Sequence, residues 1–86
     1  MTPRQAIEIY KKEKFYRSDV IGMTESDDFF HLYDEASCEN LCVPVAIVDK
    51  NTNKCILFAD IKDGDGDFGL GYFQMKVVPK EQYIQM

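Results

Sequence analysis

The sequence predicts an α+β domain in which one N-terminal helix packs on an antiparallel sheet of four or five strands. Three observations carry this. Residues 2–14 show a helical apolar period behind a capping signature, the rest of the chain reads in short β-favouring runs, and short connections suited to hairpins join most of those runs. At 86 residues the chain has the size of one domain with a thin, two-layer core, so residues 1–86 are read as a single unit.

The helix is expected over residues 3–14. Thr2 can accept from the backbone of Gln5, Pro3 suits the first helical position, and Gln5 completes a capping box. Ala6, Ile7, Ile9 and Tyr10 form the apolar stripe, and Lys11, Lys12 and Lys14 suit the negative end of the helix dipole. Residues 15–23 read as a weak strand interrupted by Ser18 and Asp19. Residues 29–33 form an aromatic strand with Phe29, His31 and Tyr33 on one face and Phe30 and Leu32 on the other. The clearest strands are residues 42–49 and 54–61, expected at the centre of the sheet, with Pro44 at a strand start, bulge or edge. Between them Lys50-Asn51-Thr52-Asn53 is a turn in which an Asn can take the left-handed conformation. Residues 62–67 form a Gly/Asp turn, and residues 69–78 a last strand with Phe73, Met75 and Val77 inward. The tail from Lys80 is expected along the surface. Deepest burial is expected at Val45 or Val48, Ile47, Leu57, Phe58, Phe73 and Met75.

Composition narrows the functional classes. Hydrophobic residues make up 45% and charged residues 29%, the balance of a folded globular domain. A net charge of −5 argues against a nucleic-acid scaffold or a binder of anionic membranes, and favours a basic protein partner. No signal-peptide pattern and no bilayer-length apolar run is visible, and the odd set Cys38, Cys42 and Cys55 is no disulfide framework. A reducing cytoplasm is the expected location, with all three thiols free and Cys55 the least reactive.

Candidate chemistry is sparse. Asp63-Gly64-Asp65-Gly66-Asp67 has the carboxylate alternation of a calcium loop. The pattern then fails, because Phe68 stands where an EF-hand needs Gly and Gln74 where it needs Glu, so a polar turn explains the residues as well. Cys38 and Cys42, with His31 and Cys55, have a spacing compatible with zinc, but free thiols are the simpler reading. His31 lies in an aromatic strand, where a packing role with one hydrogen bond is the ordinary outcome. No nucleophile elbow, phosphate-binding loop or dinucleotide fingerprint occurs, so neither catalysis nor a cofactor is expected.

Charge placement says more. Residues 1–18 carry a net +3, whereas residues 19–39 hold Asp19, Glu25, Asp27, Asp28, Asp34, Glu35 and Glu39 with no Lys or Arg. Seven carboxylates in one segment create a field that speeds encounter with a basic partner and orients it. A solvated, solubilising loop is the competing reading.

Ala6-Ile7-Glu8-Ile9-Tyr10, then Asp28-Phe29-Phe30-His31-Leu32-Tyr33, then Pro44-Val45-Ala46-Ile47-Val48-Asp49-Lys50-Asn51-Thr52-Asn53 resemble the YrhB-type, cystatin-like immunity proteins of bacterial polymorphic-toxin systems. The likeness spans residues 6–58 as a pattern, with Asn53 in place of the usual turn Gly and no Gly-Trp pair before Phe29. It implies a cystatin-like fold and a cytoplasmic inhibitor that occludes a toxin domain without catalysis of its own; a monomer or weak dimer is expected. The seven acids from Asp19 to Glu39 are then the partner-binding candidates. The alternatives are a phage-encoded inhibitor or nucleic-acid mimic and, in a different class, a metal-binding module or metal-dependent enzyme built on Asp63, Asp65 and Asp67 or on Cys38 and Cys42.

Overall fold

The computed structural model describes residues 1–40, 43–61, 68 and 75–84, with the side chains of residues 38–40 outside that description. Helix α1 (Pro3–Lys11) opens on the capping box read from the sequence. Gln5 N–H donates to Thr2 Oγ1 at 3.2 Å, and Thr2 N–H donates to Gln5 Oε1 at 2.8 Å. The helix ends at Lys11 rather than Lys14, because Lys12 and Glu13 donate to the carbonyls of Ile9 and Tyr10 in a tightened last turn. Ala6, Ile7 and Tyr10 are its buried residues.

Five antiparallel strands follow: β1 (Gly22–Glu25), β2 (Phe29–Tyr33), β3 (Ala46–Asp49), β4 (Cys55–Leu57) and β5 (Lys76–Val77). Their order is β4-β3-β2-β1-β5, so β2 is central and β4 an edge, which corrects the expected placing of residues 54–61. Strands β1 to β4 lie side by side in chain order, and the C-terminal strand β5 returns to the edge beside β1. Strand β4 is also shorter than expected, because Phe58–Asp60 closes into a 3₁₀ turn that leaves Phe58 half-buried. Pro44 precedes β3, and ladder bonding begins with Val45 N–H on the Leu32 carbonyl at 2.7 Å.

Residues 15–21 do not form the expected strand. Phe15 and Tyr16 turn together onto Tyr10, with ring centroids 6.1 and 5.0 Å away, and two neighbouring side chains cannot share a face of an extended strand. A second short helix, α2 (Glu35–Asn40), lies where no element was expected.

The register divides the side chains into two layers. Met23, Phe30, Leu32, Ala46 and Val48 face α1 and join Ala6, Ile7, Tyr10 and Val78 in the main core. Thr24, Phe29, His31, Tyr33 and Ile47 occupy the opposite face, where His31 and Ile47 are fully buried. Val45, Ile47 and Val48 are buried as expected, whereas Leu57 and Met75 are half-buried and Phe73 lies outside the described residues. Val77, expected inward, is 80% exposed because only Lys76 and Val77 pair at this edge. Tyr83, in the tail expected along the surface, is buried in the core behind a 3₁₀ turn at Lys80–Gln82. No helix among the described residues is long and apolar enough to cross a membrane.

Candidate functional site at the acidic hairpin end

Folding splits the acidic segment between the two ends of β2. Glu25, Asp27 and Asp28 gather at the β1–β2 turn, joined by Asp49, which stands opposite Phe29. Asp19, Asp34 and Glu35 lie beyond the other end of the strand. Five residues at about 3.3 Å each put roughly 17 Å between the two groups. A run of seven carboxylates that looks continuous in the sequence is therefore two separate sources of field.

The hairpin end is firmly built. Ser26 N–H donates to the Phe29 carbonyl at 2.9 Å, and Lys50 N–H donates to the Asp28 carbonyl at 2.8 Å, tying the β1–β2 turn to the β3–β4 turn. The Lys50 ammonium lies 4.5 Å from the centre of the Phe30 ring, donates to the Ser26 carbonyl at 2.7 Å, and pairs with Glu25 Oε1 at 2.9 Å. The β3–β4 turn is closed by Asp49, whose Oδ1 accepts from the backbone N–H groups of Asn51 and Thr52, and by Asn53 at φ 61°. That Asn53 takes the left-handed position agrees with the sequence reading. Asp28 Oδ1 accepts from the Asn51 amide at 3.1 Å. Among the described residues Lys50 pairs with Glu25 alone. Asp27, Asp28 and Asp49 form no ion pair among the described residues, and Asp27 and Asp28 are exposed.

At the opposite end one carboxylate is taken up by structure. Asp34 is fully buried and takes a bidentate pair from Arg17, through Nε on Oδ2 and through Nη2 on Oδ1 at 2.9 Å. Ser18 Oγ donates to Oδ2 at 2.9 Å, Ser37 N–H donates to Oδ1 at 2.9 Å, and Asp34 N–H donates back to Ser37 Oγ. Asp34 is thus the cap of α2. The Arg17 guanidinium holds its carboxyl far below the usual carboxylate range, against a smaller opposing effect of burial. Asp34 therefore leaves the set of free surface charges. Asp19 stays exposed and accepts from the Tyr16 hydroxyl at 3.1 Å, Glu35 is exposed, and Glu39 lies in α2 with its side chain outside the described residues.

Arg17, Ser18, Ser37 and Lys50 are missing from the sequence-derived candidates. A local signal did exist for one of them: Asp34 and Ser37 stand three apart, the spacing of a reciprocal helix cap. Nothing local pairs Arg17 with Asp34 or Lys50 with Glu25.

Among the described residues no group of three or more His, Cys, Asp or Glu is placed to hold a metal ion. Asp63, Asp65, Asp67 and Cys42 lie outside the described residues, as does the Cys38 side chain. A groove of about 450 Å³ runs between α1 and the β3–β4 turn and is lined with both signs of charge, by Glu8, Lys12 and Lys50.

Cys55 is a free thiol on β4, and burial pushes its pKa up to about 12. At pH 8 the folded state then carries roughly a thousandfold less Cys55 thiolate than an exposed thiol would. Reaction with a water-soluble disulfide reagent, followed by mass mapping, should label Cys55 slowly in the native protein and rapidly in denaturant. Rapid labelling of native Cys55 would show that its face of β4 opens.

Comparisons with protein-family models, curated proteins and solved structures find no match for this chain.

Proposed function

We propose that the chain is a small acidic binding protein that neutralises a toxin domain by seating the β1–β2 hairpin end in a basic active-site cleft. One observation carries the reading: Asp27 and Asp28 are exposed and form no ion pair among the described residues, on a turn held in place by Lys50 and Asn51. Charges already fixed in position lose little freedom on binding, so their attraction goes into encounter rate and orientation. Blocking a cleft of opposite charge needs shape and field, with no catalytic group on the inhibitor. The likeness of residues 6–58 to immunity proteins supports the same reading.

The test uses the intact chain as bait for proteins of its native host at low and high salt, with Asp27→Asn/Asp28→Asn as the control bait. A basic protein that the parental bait retains and the control loses, and whose toxicity in a cell is relieved by co-expressing the parental chain, is the expected result. Retention that ignores both substitutions, or toxicity unrelieved by co-expression, would contradict the proposal.

A further inference from the structure

The second face of the sheet holds a buried titratable group that partner binding does not use. His31 is fully buried, and Nε2 lies 2.9 Å from the Phe68 carbonyl oxygen. A carbonyl only accepts, so Nε2 carries the hydrogen and the neutral ring keeps Nδ1 bare. Thr24 Oγ1, 2.9 Å from Nδ1, must then donate to it. The single hydrogen of Thr24 is spent there, so Tyr33 Oη, 3.2 Å from Thr24 Oγ1, donates to Thr24, and Met75 Sδ at 3.8 Å receives no hydrogen. The whole chain of bonds has one direction, and the position of one proton on His31 sets it.

Phe68 is the other half of the device. Its φ is 51°, a left-handed backbone that a bulky residue rarely adopts. Its contacts in the described structure are the bond from His31 and an edge-on ring contact with Phe29, 5.5 Å between centroids. We propose that His31 is an acid-released clasp, which holds Phe68 against the second face while the ring is neutral and lets it go when the ring is protonated.

The reason is the surroundings of the cation that would form. Among the described residues the ring meets Thr24 on β1, is flanked by Phe29 and Tyr33 on β2, and stands opposite Ile47 on β3. Asp49 shares that face, but its Oδ1 is turned to the backbone of Asn51 and Thr52. On β5, Lys76 stands opposite Glu25, a residue of the other face. Burial lowers the affinity of the ring for a proton, the Phe68 carbonyl partly offsets this, and the Lys50 charge lowers it further. A protonated ring would also reverse Thr24, which would have to accept from Nδ1 and turn its own hydrogen to the weak acceptor Met75. A released state, with the ring in water, escapes both costs. Its population relative to the clasped state should rise about tenfold per pH unit below the ordinary histidine value, until the clasped ring itself titrates.

An NMR titration of the intact protein from pH 7.5 to 5, with far-ultraviolet circular dichroism in parallel, tests this. At pH 7.5 the imidazole nitrogen shifts should show hydrogen on Nε2 alone. On acidification the signals of His31, Phe68 and the Met75 methyl should move with one midpoint, below 6.5, while the circular dichroism stays constant. His31→Gln keeps an amide donor toward Phe68 and cannot titrate, so its Phe68 and Met75 signals should not move with pH. The proposal is overturned by hydrogen on Nδ1 at neutral pH, by protonation of His31 without movement at Phe68, by loss of circular dichroism at the same midpoint, or by a transition that survives in His31→Gln. Should the variant fail to fold, the titration of the parental protein decides alone.

Discussion

Asp34→Ala should lower the stability of the fold by about 3 kcal/mol, the largest single-residue loss expected outside the apolar core. Three contributions combine at this carboxylate: the bidentate Arg17 pair, the Ser18 hydroxyl, and the cap of α2 through Ser37. Arg17 is 51% exposed on its side chain, so solvent screens part of the pair, and Arg17→Ala should cost less, about 2 kcal/mol. Asp34→Asn keeps an oxygen for Ser37 and should fall between Asp34→Ala and the parental protein. For a domain of this size the Asp34→Ala loss corresponds to a fall in Tm of roughly 12–24 °C, readable by thermal melting. Its pH dependence has a definite sign. A carboxyl depressed in the folded state adds stability that is present above its ordinary value of 3.8 and is lost as the pH falls through its folded value. His31, whose folded pKa is also depressed, contributes stability that is full above 6.5 and declines below it. Stability should therefore start to decline below pH 6.5 and fall more steeply below 3.8, and Asp34→Ala should remove only the second stage. Melting curves for Asp34→Ala that match the parental protein would show that the Arg17–Asp34 pair is not formed in solution.

Local grammar explains what was legible in the sequence. The Thr2–Gln5 cap, the β2 alternation of Phe30 and Leu32 against Phe29, His31 and Tyr33, and the left-handed Asn53 each depend on residues within four positions of one another. Strand order does not. β4 and β3 look alike as apolar runs, and only the return of Lys76 and Val77 to the side of β1 makes β4 an edge. The candidate site was blurred for the same reason. Asp27 and Asp34 look equivalent in a seven-acid run, yet a residue 17 positions earlier, Arg17, takes Asp34 into the interior and leaves Asp27 at the tip. α2 was missed although Asp34 and Ser37 have the spacing of a cap, because its six residues carry no apolar period long enough to register.

Neutralising the exposed acids should change partner association more than any comparable change elsewhere on the surface. Asp34 is excluded from the set, since it is buried against Arg17 and its loss would destabilise the fold rather than weaken the surface field. The informative variant is Asp27→Asn/Asp28→Asn/Glu35→Gln. All three side chains are exposed, none forms an ion pair among the described residues, and the backbone bonds that close the β1–β2 turn do not use their charges. Rim charges act chiefly on the association rate, so the triple variant should associate about 10–100 times more slowly while dissociating at nearly the parental rate. Reversing Lys11 and Lys12, both exposed at the C-terminal end of α1, should leave association unchanged or slightly faster. Circular dichroism must first show that the triple variant is folded. The decisive measurement is then its association rate with the partner across about 50–500 mM salt, a roughly threefold range of Debye length. Recognition through the exposed acids, chiefly Asp27 and Asp28 at the hairpin end, predicts slower association than the parental protein at low salt and a flatter salt dependence. A folded triple variant that associates at the parental rate, with the parental salt dependence, would contradict it.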